Sequence, residues 1–400
     1  MTNWILFYCL LATSVGQSVV LSLLPSLGRS TGLTELQVAS ILSLSALVFA
    51  LGTTMWSHVS VKLGRRRTLM FGLTGYCIGT VLFASVFYLG LSYDVNSLLI
   101  YTLLISSRLL QSCVMSATPP SVMGYVIATT TPERLLPKIS RLTSANSLGQ
   151  IIGPMLAGLL VGFGLLVPLY TIVIFTLFAL VLVWQKLPED KVTDNVLSDT
   201  IPVSDGENYT KSSSPMAYIF VAASLFCAMA MTQQTLGFFF MDSLNLTPTD
   251  AAKLVGFGAM ITAMTSLGIQ FFLISRLSAA KQVILLWGLC LLTMGYSLLS
   301  LGGSMVTFYF GMALLGVGMG LSYPSATSLA IGCSSTHGQA TITGLVSASP
   351  AIGYVVGPPI AALLYQQNIY FPFYTSTTLI VSLAVFCLFK ICLQSNKSNY

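Results

Sequence analysis

The chain has 400 residues, 55% of them hydrophobic and only 7% charged, with a formal net charge of +6. Soluble domains carry about 25% charged residues, so a water-soluble fold is excluded. A bilayer accommodates this much apolar side chain because lipid is itself the apolar phase. The basic residues form no patch suited to nucleic acid. Nearly all of the cysteines (Cys9, Cys77, Cys113, Cys227, Cys290, Cys333, Cys387 and Cys392) sit inside apolar runs without metal-ligand spacing, so neither a disulfide framework nor a metal site is implied.

In chain order, apolar runs long enough to span recur at 4–27, 37–57, 68–91, 97–118, 142–165 and 168–187. A second set follows at 216–241, 251–275, 281–302, 305–331, 341–365 and 370–393. Each reaches the 20 or so residues that a membrane-crossing helix needs. No basic region precedes the first run and no small-residue cleavage site stands out, so Trp4 to Leu24 reads as an uncleaved first helix. The sequence thus predicts an all-α membrane protein of twelve transmembrane helices in two six-helix bundles, 1–187 and 216–400.

A polar segment, Pro188 to Pro215, separates the two sets. It holds Glu189, Asp190, Asp194, Asp199, Asp205 and Glu207 among many Ser, Thr and Asn, with no apolar face, and reads as a flexible linker. If the N-terminus is cytoplasmic, fourteen Lys and Arg fall in internal loops or tails, namely Lys62, Arg65, Arg66, Arg67, Arg134, Lys138, Arg141, Lys186, Lys191, Lys211, Arg276, Lys281, Lys390 and Lys397. Only Arg29 and Lys253 fall outside, and Arg108 alone lies within a span. Cytoplasmic loops carry the excess of Lys and Arg, so both termini and the linker are expected in the cytoplasm. The sequon Asn208-Tyr209-Thr210 in that linker reads as chance.

The two halves repeat each other. Gly149, Gly153 and Pro154 in the fifth span correspond to Gly353, Gly357 and Pro358 in the eleventh, and Pro120-Ser121 to Pro324-Ser325. In transporters, such repeats place the substrate path at their interface near the bilayer midplane.

Three segments carry a more specific pattern. The loop after the second span reads Ser57-His-Val-Ser-Val-Lys-Leu-Gly-Arg-Arg-Arg-Thr-Leu69, in which Gly64 permits a tight turn and the arginines can pair with carboxylates and helix C-termini. The fourth span contains Arg108-Leu-Leu-Gln111. A buried arginine costs roughly 2.5–3.5 kcal/mol on insertion scales and should face protein or a watery cavity. The fifth span contains Gly149-x-x-x-Gly153-Pro154-x-x-Ala157-Gly158, whose small residues let helices approach closely and whose proline frees a carbonyl and bends the helix.

Together these segments resemble the signatures of the major facilitator superfamily across essentially the whole chain. The first resembles its G-x-L-a-D-R-x-G-R-[RK] loop through Lys62, Gly64, Arg65 and Arg66, with Ser57 in place of a glycine and Val61 in place of the acid. In the family this loop latches the outward-facing state through that acid. The second matches R-x-x-Q-G except for Ser112. The third resembles the "antiporter" motif, typical of exporters, and Leu23-Leu24-Pro25-Ser26-Leu27 is similar to the end of the first helix in twelve-helix drug exporters. The resemblance implies a proton-driven antiporter of the bacterial inner membrane, in the neighbourhood of tetracycline and siderophore exporters, monomeric and without cofactor. Lys62, Gly64, Arg65, Arg66, Gly149, Gly153, Pro154, Gly158, Gly353, Gly357 and Pro358 would then act in gating.

Acids are confined to loops and helix ends, so no midplane carboxylate relay is legible, and phosphate-loop, zinc and serine-elbow patterns are absent. The expectation is therefore a secondary transporter and not an enzyme. Export of an anionic or zwitterionic metabolite such as a carboxylate siderophore stands beside multidrug efflux, import of a small metabolite or siderophore, and a non-transporting sensor or scaffold. Candidate substrate contacts are Gln17, Arg108, Gln111, Asn146, Gln150, Gln233, Gln234, Tyr323 and Tyr354, of which the glutamines and the asparagine could equally be interhelical hydrogen bonds of about 0.6 kcal/mol.

Overall fold

The computed structural model describes residues 2–130, 132–189, 215–272, 280–301, 304–333 and 339–398. Most of the Pro188–Pro215 linker, with its sequon, and Arg276 and His337 lie outside them. Among the described residues every regular element is helical: α1 (Thr2–Ser30), α2 (Glu35–Leu63), α3 (Arg65–Ser92), α4 (Ser97–Met115), α5 (Thr118–Thr129), α6 (Pro132–Leu160), α7 (Val167–Lys186), α8 (Pro215–Leu244), α9 (Pro248–Phe272), α10 (Lys281–Leu301), α11 (Met305–Gly332), α12 (Gln339–Gln367) and α13 (Phe371–Ser398), with one short 3-10 turn at Val161–Phe163. Twelve spans are long and apolar enough to cross a membrane, because α4 and α5 are one span, Ser97–Thr129, broken at Ser116–Ala117.

Local chemistry sets the helix ends. Thr34 and Gln37 form a reciprocal capping box at the start of α2, with Thr34 N donating to Gln37 Oε1 at 2.9 Å and Gln37 N to Thr34 Oγ1 at 3.3 Å. Asn96 Oδ1 accepts from Leu98 N at 2.8 Å to open α4, and Ser304 Oγ accepts from Thr307 N at 3.3 Å to open α11. At the other end of α2, Gly64 adopts φ 90°, which lets the chain reverse within one residue into α3. Many large apolar side chains, among them Leu110, Ile174 and Phe310, are exposed on the helix surfaces, as a lipid-facing protein requires.

The chain falls into two compact units, Met1–Ser198 with Leu236–Phe257, and Asp199–Thr235 with Gly258–Tyr400. In the first, α1 packs along α6 and α7, and α3 along α4 and α7. The end of α8 and the start of α9 belong to this unit too: Arg29 at the end of α1 pairs with Asp242 at 2.6 Å and with Glu35 at 3.2 Å. In the second, α10 packs against α11 and α13.

Candidate functional site

The basic loop binds its neighbours as its charges dictate. Arg66 Nη2 donates to the Trp184 carbonyl near the C-terminus of α7 at 2.7 Å, and Arg66 and Arg67 approach Glu189 at 3.6 and 3.7 Å. Arg65 is buried with its stem laid over Gly124, whereas Lys62 makes no ion pair among the described residues and Val61 carries no charge to make one. The loop therefore grips the end of α7 within its own unit.

The glycines of α6 serve two contacts. A Cβ on Gly149 would lie 2.5 Å from Ser14 Cβ, and one on Gly153 2.5 Å from Ser18 Cβ and 2.7 Å from the Val15 carbonyl. One turn on, Gly158 faces Gly256, where an added Cβ would come 2.7 Å from Gly158 Cα and from the Pro154 carbonyl. One helix thus lies against α1 and α9 with no space for side chains between backbones. In the second unit, Gly353 and Gly357 of α12 pack on α8 at Phe226, Cys227 and Ala230 in the same way.

Arg108 is the centre of a polar network inside the first unit. It is 2% exposed. Its Nη1 donates to Gln111 Oε1, one helical turn away, and its Nη2 to Gln17 Oε1 on α1, both at 2.6 Å. Gln111 Nε2 donates in turn to Thr80 Oγ1 at 2.7 Å and, more weakly, to the Tyr76 carbonyl at 3.5 Å. The guanidinium carbon stands 5.6 Å from the Phe83 ring centroid. Every partner is neutral, and Arg108 Nε and the buried Tyr76 hydroxyl have no hydrogen-bond partner among the described residues. The cation is therefore solvated by two amide oxygens and a ring face but not neutralised.

Of the sequence-predicted contacts, Gln17, Arg108 and Gln111 meet in this network. Gln17 is half-buried, and its Nε2 donates to Met115 Sδ at 3.5 Å. Asn146 gives only its backbone carbonyl, to Ser14 Oγ at 2.8 Å, and Gln150 is exposed. In the second unit, the Tyr354 hydroxyl donates to Gln233 Oε1 at 2.7 Å, Tyr323 stacks edge-on to Phe226, and Gln234 is buried. Sequence reasoning missed Tyr76, Thr80, Phe83 and Phe226. The first three share one face of α3, and the signal was a pair of hydroxyl residues four apart within an apolar span. An apolar groove of about 400 Å³ between α1 and α7, lined by Trp4, Phe7, Tyr8 and Leu182, holds no network residue.

The sequence profile of the Major Facilitator Superfamily matches residues 6–349. The chain belongs to this superfamily. It is similar to Multidrug resistance protein 1 of Bacillus subtilis (23% identical, 97% of this chain and 96% of the relative) and to the Bacillibactin exporter of the same organism (23%, 90% and 88%). Among solved structures, a D-xylose–proton symporter superposes with a TM-score of 0.74 at 13% identity, covering 96% of each chain. This member of the superfamily is a multi-pass membrane transporter of small molecules and not an enzyme. Superfamily transporters generally carry no cofactor, and many are proton-coupled.

Proposed function

We propose that this transporter exports an anionic or zwitterionic small molecule, such as a carboxylate siderophore, across the bacterial inner membrane by alternating access. The observation that carries the anion is Arg108, an un-neutralised guanidinium among neutral partners. A carboxylate would replace the Gln17 amide oxygen, neutralise the charge and engage the planar fork through two parallel hydrogen bonds. Such a substrate could also carry the proton that no span carboxylate holds. Outward direction is supported by the α6 glycine motif and by the similarity to exporters. On this reading the proton motive force drives a monomer organised as 1–187, a 188–215 linker and 216–400.

A second reading has its own observation. Arg108 is almost fully enclosed, as expected of a brace between α4 and α1. A brace would leave substrate choice to other residues and would fit multidrug efflux.

The test of function is a deletion strain compared with its parent, with compounds retained inside and released outside measured together. A carboxylate metabolite accumulating inside the deletion strain is expected. Accumulation of lipophilic cations alone would contradict the reading. Orientation is tested by labelling single-cysteine variants at Asp94 and Asp205 in intact cells: position 94 is expected to react from outside and position 205 not, and the reverse would overturn the topology.

A further inference from the structure

We propose that Phe226, Tyr323, Tyr354 and Gln233 form a site in the second unit for a planar aromatic group bearing a hydrogen-bond acceptor. This deepens the export reading by naming a second feature of the substrate, and it rests on that reading only in taking the occupant to be the transported molecule.

The four residues come from three helices at mid-span. Phe226 of α8 meets Tyr323 of α11 edge to face, with centroids 5.0 Å apart at 82°, and Tyr354 of α12 at 6.5 Å and 45°. All four residues are half-buried. α11, α12 and the part of α8 in this unit carry no charged residue at all.

Packing alone does not require the rings. The glycine contacts of the two units superimpose residue for residue: Gly353 meets Phe226 and Cys227 as Gly149 meets Ser14 and Val15, and Gly357 meets Ala230 as Gly153 meets Ser18. By this correspondence Phe226 stands where the first unit has Ser14, Tyr354 where it has Gln150, and Tyr323 where it has Pro119. The same helix crossing forms without any of the three aromatic side chains.

Gln233 sets the polarity of the site. Its Oε1 is occupied by the Tyr354 hydroxyl at 2.7 Å, while its Nε2 has no partner among the described residues. The amide thus offers donors beside ring surfaces. An aryl ketone, amide or carboxyl oxygen would receive the Nε2 hydrogens with its ring against the aromatic edges and faces.

The test uses the full-length protein purified into nanodiscs, with equilibrium binding of 2-naphthoate, the saturated decahydronaphthalene-2-carboxylate, and neutral 2-naphthamide. Both naphthalenes are expected to bind roughly tenfold more tightly than the saturated acid, as one or two aromatic contacts would give. Phe226→Leu should bring the ratio of aromatic to saturated binding down toward one, and Phe226→Tyr should retain the tenfold ratio, which separates loss of the ring from loss of the fold. Equal binding of aromatic and saturated acids, or no binding of either naphthalene, would overturn the aromatic site. Binding of 2-naphthamide with no binding of either acid would leave the site standing and remove the anion reading instead.

Discussion

The same crossing of helices is built twice in this protein and filled in two ways. On α3 and α4, a Cβ on Gly79 would meet the Gln111 side chain at 2.6 Å. On α10 and α11, a Cβ on Gly295 would meet Leu315 at 2.8 Å. Gly72 likewise faces Thr118 where Gly288 faces Ser322. These pairs place Met312 opposite in role to Arg108, Leu315 to Gln111, and Leu292 to Tyr76. Met312 and Leu315 are as buried as Arg108 and Gln111, yet they bury only apolar atoms. The scaffold therefore does not need a guanidinium at this place. Placing one there costs free energy in one unit that the other unit avoids, which is the physical ground for giving Arg108 a task beyond packing.

The largest expected effect lies in what the units share. Gly153→Leu would drive a side chain into Ser18 and the Val15 carbonyl, and Gly357→Leu into Ala230 and the Cys227 carbonyl. Each variant is expected to reach the membrane at near-normal levels and to lose transport in a vesicle flux assay. Full activity in either would show that backbone approach at that crossing is unimportant.

Next in size is an exchange that erases the difference. Arg108→Met with Gln111→Leu gives the first unit the residues of the second. Removing a charge-assisted pair of hydrogen bonds should reduce carboxylate transport roughly 10- to 100-fold. Thermal stability in detergent should stay equal or rise, because an apolar pair replaces a buried charge. A fall in stability with substrate selectivity unchanged would identify Arg108 as a brace. Arg108→Lys sharpens the point, since it keeps the charge and loses the fork. A partial loss, milder than that of the double variant, is expected in the same flux assay.

The smallest effect is expected at the basic loop. Glu189→Gln removes half-exposed ion pairs of Arg66 and Arg67 while Arg66 keeps the Trp184 carbonyl, so stability should change by less than about 1 kcal/mol in a thermal-shift measurement. A larger loss would mean that this end latches the unit despite Val61.

The twelve spans were legible because membrane helices announce themselves by length and apolarity. The paired glycines were legible because small residues at a fixed spacing repeat in both halves. Arg108 and Gln111 could be joined from sequence, being one helical turn apart, and Gln17 stood out as a rare amide in an apolar span. Tyr76, Thr80 and Phe83 could not be assigned to them. They lie on a helix with little amphipathic bias, so nothing in its sequence fixes which face turns toward α4. Phe226 was hidden for a simpler reason: a phenylalanine in an apolar run looks the same whether it meets lipid, protein or ligand. The sequence placed the end of the fourth span at residue 118, whereas helix continues to Thr129 beyond the break at Ser116–Ala117. Pro119 and Pro120 at the start of α5 occupy the first turn, where a missing N–H costs little.

The ligand that completes Arg108 decides what the protein carries. The direct measurement is counterflow with the purified protein in liposomes, comparing polycarboxylates with lipophilic cations, for the parent and for Arg108→Met with Gln111→Leu. Exchange of a carboxylate by the parent, reduced roughly 10- to 100-fold in the double variant, is the predicted result. Robust exchange of cations with no response to any carboxylate, unchanged in the double variant, would contradict it.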